Sequence, residues 1–403
     1  MSNRFDVVVV GAGVTGLSVA TLLAQSPHAA DLRIRVVDAA ERPVWQADKD
    51  VALRVSAISC GSADLLEDVG AWSAIESSRL CPYDHMSVWD AADEPTSASS
   101  LQFDADEFAV QHLGYIVENV LIQHALLGVL DAAEVEIGFD APIASIDADA
   151  PKHRVVLQSG AVLDADLIVG ADGARSVVRE SAGIQVQRRP YAQTAFVTHL
   201  SPERSHQHTA WQRFLRDGPL GMLPLGDGRI SVVWSTPPDV AEKALQCSDE
   251  ELAALLTEAS DNVLGRLAVS GPRGAFPLAA QHAGDYVRRG IALIGDAAHT
   301  VHPLAGQGAN LGLQDASELA AVIIAALDAG EHPADRPVLR RYERARKGAN
   351  ATMMHFMTGL NRLFAADSPV LSELRRAGMQ LFNRSGPVRE RVVGVALGAG
   401  RRS

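Results

Sequence analysis

The chain has 403 residues, of which 47% are hydrophobic and 21% charged, an ordinary composition for a globular protein with room for two domains. Its formal net charge of −13 argues against nucleic acid as a partner. We expect neither a signal peptide nor a membrane span, since no apolar run approaches the roughly 20 residues that a span needs. The three cysteines lie far apart without metal-ligand spacing, so we expect reduced thiols, no metal site and a cytoplasmic protein.

The first predicted elements form a βαβ unit with a glycine-rich turn. Asp6–Val10 is an apolar strand, Gly11, Gly13 and Gly16 form a GxGxxG motif, and an apolar helix follows. The first glycine makes the tight turn, the second lets the backbone approach a pyrophosphate, and the third lets helix and strand pack closely. A second apolar strand ends at Asp38, whose carboxylate can bond the hydroxyls of an adenosine ribose. The unit therefore predicts dinucleotide binding.

The middle of the chain changes from helix-forming to strand-forming patterns. We predict a helix from Ala63 to Ile75, a hairpin or surface loop at Ala91–Ser100, and a helix from Tyr115 to Leu130. A buried parallel strand then ends at Asp172, at the sheet edge where ligands bind in open α/β folds. Alternating segments between residues 184 and 280 predict an antiparallel sheet.

The stretch Ile291–Asp315 carries the most chemical information. Its pattern predicts a buried strand, then Gly295–Asp296, a turn rich in glycine and proline, and a helix from about Asn310. Glycines let backbone N–H groups approach a phosphate-bearing ligand, and a helix N-terminus favours negative charge. His299 and His302 flank the turn, and we expect both to be bonded to the backbone rather than catalytic.

Together these elements predict an α/β fold. A discontinuous Rossmann-like cofactor domain carries an inserted, mainly antiparallel β-sheet substrate domain and a helical C-terminus. We assign residues 1–75, 113–183 and 281–335 to the cofactor domain, residues 76–112 and 184–280 to the substrate domain, and residues 336–403 to the C-terminal helical region.

Three separated motifs together resemble the FAD-dependent aromatic hydroxylases, the single-component flavin monooxygenases. They are the GxGxxG turn with Asp38, the sequence ADGARS at residues 171–176, and GDAAHTVHPLAGQGANLGLQD at residues 295–315. The third motif, with LRVSAI at residues 53–58 and HLGYIVEN at residues 112–119, is similar to the ubiquinone-biosynthesis hydroxylase branch. The resemblance covers nearly the whole chain.

The resemblance implies that the cofactor domain binds FAD, with NAD(P)H as a transient electron donor and O2 as co-substrate. It assigns no catalytic acid or base. Instead, Pro303, Gly306 and Gln307 belong to a loop that shields a flavin C4a-hydroperoxide from water. Asp296 is expected to bond the ribityl chain, and Asn119 is our assignment for a polar contact on the central helix. The implied cofactor-binding residues are Gly11, Gly13, Gly16, Asp38, Arg54, Asn119, Asp172, Gly295, Asp296, Pro303, Gly306, Gly308 and Asn310.

The implied function is hydroxylation of the aromatic ring of a polyprenyl phenol or benzoquinol in ubiquinone biosynthesis. Three alternatives stay open: an FAD-dependent hydroxylase of a soluble phenol, a flavin reductase of prenyl double bonds, and a non-catalytic FAD-binding subunit of a biosynthetic complex. The ring carbon, the tail length and the choice between NADH and NADPH are not readable from the sequence.

The implied partners are the lipophilic substrate and other ubiquinone-biosynthesis proteins. Homodimerisation and peripheral contact with the inner face of the membrane stay open. The segment Arg384–Ser403 combines five arginines with several valines, so it is the candidate for membrane contact. The alternative, which we favour, is a C-terminal helix docked on the body of the protein.

Overall fold

The computed structural model describes residues 4–148, 152–302, 306–365 and 369–398. Its strands are β1 (Arg4–Val10), β2 (Ile34–Val37), β3 (Val55–Ile58), β4 (Leu80–Tyr83), β5 (His85–Asp90), β6 (Leu101–Asp104), β7 (Gly114–Glu118), β8 (Glu136–Gly138), β9 (Ile143–Asp147), β10 (His153–Leu157), β11 (Val162–Gly170), β12 (Val186–Pro202), β13 (Thr209–Leu215), β14 (Gly218–Pro224), β15 (Ile230–Thr236), β16 (Leu267–Val269), β17 (Gly274–Ala283), β18 (Val287–Arg288), β19 (Ile291–Leu293) and β20 (His299–Thr300). Its helices are α1 (Val14–Ala24), α2 (Cys60–Asp68), α3 (Trp72–Glu76), α4 (Asn119–Ala132), α5 (Val177–Ser181), α6 (Pro238–Gln246), α7 (Asp249–Ala259), α8 (Gln307–Asp328), α9 (Arg336–Ala365), α10 (Pro369–Asn383) and α11 (Pro387–Leu397).

The first sheet, which we call the cofactor sheet, is built on parallel strands. Its order is β18-β19-β11-β1-β2-β8, and the strands from β19 to β8 run parallel, while β10 and β9 extend it from β11. Strand β1 is a run of buried valines, as expected for a strand covered on both faces. Helices α1, α4 and α8 pack together beside it. The predicted Rossmann-like fold is confirmed.

The second sheet, which we call the inserted sheet, has the order β20-β17-β12-β15-β14-β13-β5-β6, with β16 beside β12. Its neighbouring strands are antiparallel except for β5 and β13, so the prediction of a mainly antiparallel sheet is confirmed. One face, including Phe196 and Trp234, packs in a core with residues of α6 and α7. Residues paired directly across strands point the same way, so Ala195 and Phe276 share the opposite face.

Three predicted helices differ from the structure. Gly114–Glu118 is a strand between β3 and β4, and the helix predicted from Tyr115 begins only at Asn119. The β-branched Ile116 and Val117 suit this buried strand pairing better than a helix. The segment predicted as one helix from Ala63 splits into α2 and α3 because Gly70 adopts a positive φ of 72°.

The third difference is small, since the helix predicted from about Asn310 already begins at Gln307. The predicted hairpin is confirmed, because β5 and β6 pair antiparallel on either side of Ala91–Ser100. The division into six segments stays a prediction. The three-stranded sheet β3-β7-β4 draws its strands from segments that we assigned to both domains.

The C-terminal helices join the two large sheets. At one end of α9, the Tyr342 hydroxyl donates a hydrogen bond to the Leu293 carbonyl of the cofactor sheet, 2.8 Å away. Further along α9, Phe364 stacks on Phe214 of the inserted sheet, with ring centroids 3.9 Å apart. The predicted helical C-terminus is confirmed.

Among the described residues, only α8 is long and apolar enough to cross a membrane by length and composition. Its most apolar 18-residue window is 61% buried inside the protein. Side chains such as Leu313, Leu319 and Ile323 belong to the main hydrophobic core. The apolar character of α8 is therefore accounted for by its place in that core.

A buried ion pair between Arg375 and Asp90 holds α10 on β5, with 2.7 Å between Nε and Oδ2 and both side chains 7% exposed. We expect Arg375→Ala to lower the free energy of unfolding by about 3–5 kcal/mol, because it leaves a buried carboxylate without its cation. Arg376→Ala is the control, since Arg376 is 36% exposed and that change should cost about 1 kcal/mol or less. Equal losses in urea denaturation of the two variants would contradict the prediction.

Candidate active site

In the glycine turn between β1 and α1, Gly11 and Gly16 are closely packed, whereas the space around Gly13 is open. A Cβ at Gly11 would lie 2.3 Å from the Ala171 carbonyl oxygen, and one at Gly16 would lie 1.9 Å from the Gly11 carbonyl oxygen. No heavy atom lies within 4 Å of a Cβ at Gly13, which is the N-cap of α1 and has no side-chain capping bond. The first N–H groups of α1 and the space at Gly13 are therefore open to an anionic ligand.

Two side chains fix the backbone of this turn. The Asp38 carboxylate accepts from the Ala12 N–H at 2.5 Å and from the Ala40 N–H at 2.7 Å, which places it beside the glycines as predicted. Gln123 of α4 donates to the Ala12 carbonyl at 2.9 Å. Gln123 was not among the predicted residues; the predicted Asn119 lies one helical turn earlier on the same face of α4, and its cofactor contact stays a prediction. The spacing of four residues between Asn119 and Gln123 puts both on one face of the helix, and it was the sequence signal that could have identified Gln123.

The internal motif lies against the same turn, since Ala171 contacts both Gly11 and Gly16. Asp172 follows it, and its Oδ2 accepts from the Val178 N–H at 3.2 Å. Its buried Oδ1 has no hydrogen-bond partner among the described residues, and burial raises the pKa of the carboxyl. A buried acceptor without a protein donor is what a ligand hydroxyl or N–H would satisfy.

The third motif reaches this turn through Thr15, in the first turn of α1. The Thr15 hydroxyl oxygen lies 2.4 Å from a Cβ built at Gly312, which leaves no room for a side chain there, and 3.1 Å from one built at Gly295, where a side chain would press on Thr15 and strain the positive φ. The structure thus brings all three motifs together at the carboxyl edge of the cofactor sheet.

Asp296 is exposed to solvent and yet desolvated by the surrounding protein, a combination that a residue on a convex surface would not show. Its side chain is exposed to solvent. Desolvation by the surrounding protein nevertheless raises the pKa of its carboxyl, against the opposing effects of His299 and Arg54. Both properties fit a carboxyl on the floor of a cleft, which solvent reaches from one side while protein atoms crowd the others. A ligand in this cleft would meet Asp296 directly.

Helix α8 begins in contact with β3. Gly306 has a positive φ of 64°, and a Cβ there would lie 2.9 Å from the Ala57 Cβ. The Asn310 side chain accepts from the Ser59 N–H at 2.9 Å and donates to the Ala57 carbonyl at 2.8 Å. These bonds occupy the Asn310 amide, so a ligand would meet the backbone here.

The neighbouring positions of this helix are less crowded. Gln307 is half-buried in the first turn of α8, and a Cβ at Gly308 would meet nothing within 4 Å. Pro303, which we assigned to the shielding loop, lies outside the described residues.

The remaining two predicted residues, Arg54 and Asn119, lie beside β3. The Asn119 N–H donates to the Arg54 carbonyl at 3.1 Å, and the Asn119 side chain accepts from the Ser56 hydroxyl at 2.7 Å. The exposed Arg54 guanidinium lies 5.9 Å from the ring centre of Phe276, which is itself 42% exposed. The charge of Arg54 also acts on the Asp296 carboxyl, so Arg54 lies near both Phe276 and the Gly295–Asp296 turn.

The prediction that both loop histidines bond the backbone is wrong for their side chains. His299 Nε2 bonds the buried Asp315 carboxylate, and His302 Nε2 bonds the Gln193 side-chain oxygen at 3.1 Å. Burial lowers the pKa of His302 to about 4, so this imidazole is neutral at pH 7. The partners of His299 and His302 lie 16 and 109 residues away in the chain, so no local sequence pattern predicts these bonds.

Comparison with known proteins identifies the family. A family model described as "FAD binding domain" matches residues 4–357. The chain belongs to this FAD-binding family. The 3-demethoxyubiquinol 3-hydroxylase of Escherichia coli is 36% identical over 402 residues, covering 99% of this chain and 100% of that protein. The human protein "ubiquinone biosynthesis monooxygenase COQ6, mitochondrial" is 34% identical over 439 residues, covering 97% and 92%.

A solved structure agrees on the fold. The p-nitrophenol 4-monooxygenase PnpA of Pseudomonas putida superposes with a TM-score of 0.78 at 20% identity, covering 99% of this chain and 100% of that one. The resemblance to the ubiquinone-biosynthesis branch of the FAD-dependent aromatic hydroxylases is confirmed. The chain is an FAD-dependent monooxygenase, an enzyme class that uses NAD(P)H and O2.

The residues of the cleft fit FAD. The open position at Gly13 and the uncapped start of α1 suit a pyrophosphate, and Asp38 lies beside them for an adenosine ribose. Asp296 directly follows Gly295, which packs against Thr15 at the start of α1. When bound, FAD supplies the redox chemistry between NAD(P)H and oxygen, while the protein supplies binding, orientation and exclusion of water. The assignments of individual residues stay predictions.

Two alanine substitutions in the glycine turn should separate binding from folding. Gly13 has an ordinary φ of −71° and open space around it, so Gly13→Ala should fold with near-normal stability. Its methyl group would occupy the pyrophosphate space, and we expect the Kd for FAD to rise at least tenfold. Gly11→Ala should instead lower the free energy of unfolding by about 1–3 kcal/mol, because its methyl group meets backbone atoms.

Calorimetry of the apoprotein and titration with FAD measure both effects. A Gly13→Ala variant with unchanged FAD affinity would contradict the placement of the pyrophosphate.

Proposed function

We propose that this monooxygenase hydroxylates the aromatic ring of a polyprenyl phenol or benzoquinol in ubiquinone biosynthesis. The observation that carries the proposal is the identity of 36% and 34% over nearly the full length with two relatives whose names refer to ubiquinol or ubiquinone. A match of this extent includes both the cofactor cleft and the inserted sheet. A soluble phenol as substrate is the main alternative.

In this proposal each part of the cleft has a separate task. The start of α1 binds the FAD pyrophosphate, Asp38 binds the ribose, and Asp296 binds the ribityl chain. The backbone between Gly306 and Asn310 lies along the flavin ring and keeps water from it. The substrate ring then lies between that backbone and the exposed Phe276 ring of the inserted sheet.

The substrate class can be tested with the purified holoenzyme. We expect hydroxylated product to form from a short-chain polyprenyl phenol, with one NAD(P)H oxidised for each ring hydroxyl and the new oxygen derived from ¹⁸O2. The same phenol without its prenyl tail should react with a much lower kcat/KM, because each buried CH₂ contributes roughly 0.8 kcal/mol to binding. Equal kcat/KM for the two phenols would favour the soluble-phenol alternative.

The same assay separates the two remaining alternatives. A flavin reductase of prenyl double bonds would consume NAD(P)H and saturate the tail without incorporating oxygen. A non-catalytic FAD-binding subunit would consume no NAD(P)H in response to either phenol. Varying the ring substituents and analysing the product by mass spectrometry would locate the carbon that is attacked.

A polyprenyl substrate hardly leaves the bilayer, so we propose that the enzyme works at the inner face of the membrane, from the cytoplasmic side. Two exposed apolar stripes on the C-terminal helices support this location. Residues spaced four and seven apart lie on one side of a helix. The stripe on α10 consists of Val370, Leu374 and Leu381, and the stripe on α11 consists of Val388, Val392 and Val395.

Helix α11 also has an anchored side. Val393 and Leu397 are buried against the body of the protein, and Arg389 bonds Glu107 at 2.7 Å, so α11 is a docked helix with one exposed face. Arg384 and Arg391 are exposed beside the stripes and can meet anionic lipid headgroups. A second copy of this chain or another biosynthetic protein is the alternative occupant of the same face.

The membrane location predicts the behaviour of a double variant. Leu381→Glu with Val392→Glu should reduce co-sedimentation with anionic liposomes at least fivefold, because charged groups replace apolar ones on the docking face. FAD content should stay normal. Leu245→Glu is the matched control, since Leu245 of α6 is 40% exposed outside the stripes and should leave liposome binding unchanged. Unaltered binding of the double variant would reject the face, and loss of a dimer in light scattering would assign it to self-association.

A further inference from the structure

The fully buried carboxylate of Asp315 accepts hydrogen bonds from four donors next to the Gly295–Asp296 turn. Asp315 of α8 is 0% exposed. Its Oδ2 accepts from the Gly295 N–H at 3.1 Å and from His299 Nε2. Its Oδ1 accepts from Arg346 Nε at 2.7 Å and from Asn350 Nδ2 at 3.0 Å. The carboxylate therefore joins the Gly295 turn to two residues of α9.

The partners of the Asp315 carboxylate stabilise its negative charge. Burial alone would raise the pKa of the Asp315 carboxyl, but His299 and Arg346 together outweigh burial and hold that pKa below its usual range. The guanidinium of Arg346 also bonds the Asn350 oxygen at 2.9 Å, so Arg346 and Asn350 are fixed to each other as well as to Asp315. An ionised carboxylate with paired donors on both oxygens has one orientation.

The Gly295 N–H is the part of this cluster that reaches the cofactor. Gly295 directly precedes Asp296, and the two belong to one short turn with a positive φ of 58° at Gly295. Fixing the Gly295 amide therefore fixes the direction in which the Asp296 carboxyl leaves the backbone. Small displacements of a binding group are costly, because the ligand needs it within about 0.5 Å of the productive geometry.

We propose that Asp315 is a positioning residue for the cofactor, which orients the Gly295–Asp296 turn toward the ribityl chain and makes that orientation depend on α9. The proposal rests on the assignment of Asp296 given under the proposed function. It adds that helix α9, which also carries the packing against the inserted sheet, holds the cofactor turn through Arg346 and Asn350.

The isosteric variant Asp315→Asn tests this role. The amide of Asn has only one acceptor oxygen, and we expect this oxygen to stay bonded to the charged Arg346 guanidinium, which is the stronger donor. The amide NH₂ then faces the Gly295 N–H, and the turn is released. We expect the Kd of the folded apoprotein for FAD to rise at least tenfold. Amide hydrogen exchange in the peptide that contains Gly295 and Asp296 should accelerate in the apoprotein.

A matched control distinguishes positioning from general stability. Glu343 of α9 is also a buried carboxylate, and it accepts from the Tyr286 N–H at 2.8 Å without bonding the Gly295 turn. Glu343→Gln should lower the melting temperature but leave the Kd for FAD within about twofold of the wild-type value.

The outcomes separate the two proposals. Equal Kd values for wild type and Asp315→Asn, together with a weakened Asp296→Ala variant, would overturn the positioning role and leave the cofactor site intact. An unchanged Kd in Asp296→Ala would overturn the Asp296 assignment and the positioning role with it, while polyprenyl phenol turnover by the wild type would still uphold the proposed function.

Discussion

The close approach of three backbone segments determines where this protein can bind its cofactor. At Gly11 and Gly16 there is no room for even a methyl group, because β1, α1 and the residue after β11 meet there. This contact sets the start of α1 against the carboxyl edge of the cofactor sheet. The neighbouring Gly13 stays open, so the same turn that is packed on one side offers space and N–H donors on the other.

The second constraint is the long helix α9. One end hydrogen-bonds β19 and the Asp315 cluster, and the other packs on the inserted sheet. Helix α9 therefore connects the cofactor sheet to the inserted sheet as one continuous helix. In the proposed function the substrate binds at the inserted sheet, and this connection would hold it at a fixed distance from the cofactor.

Much of the fold was predictable because its signals are local. A valine strand followed by GxGxxG, and alternating patterns in the inserted sheet, each indicate their structure without knowledge of the rest of the chain. The helix predicted from Tyr115 to Leu130 is present from Asn119 onward, and its start was misplaced because an apolar run fits both a helix and a buried strand. Only the pairing of β7 with β3 and β4 decides between them.

The site was predictable in its backbone and less so in its side chains. Glycine positions follow from the motifs, and Thr15 brings the first and third motifs together. The bonds of Gln123, Asp315 and His302 join residues far apart in sequence, so they depend on the folded structure. The same holds for the apolar stripes of α10 and α11, whose exposure is a tertiary property.

The activity proposed for this chain is the addition of a hydroxyl group to the ring of a polyprenyl precursor of ubiquinone. The most direct test is mass spectrometry of the quinone lipids in a strain that lacks the gene and carries no duplicate of it. We expect ubiquinone to disappear and a polyprenyl phenol lacking one ring oxygen to accumulate, and the wild-type gene should reverse both changes. Normal ubiquinone without an accumulated precursor would contradict the proposed activity.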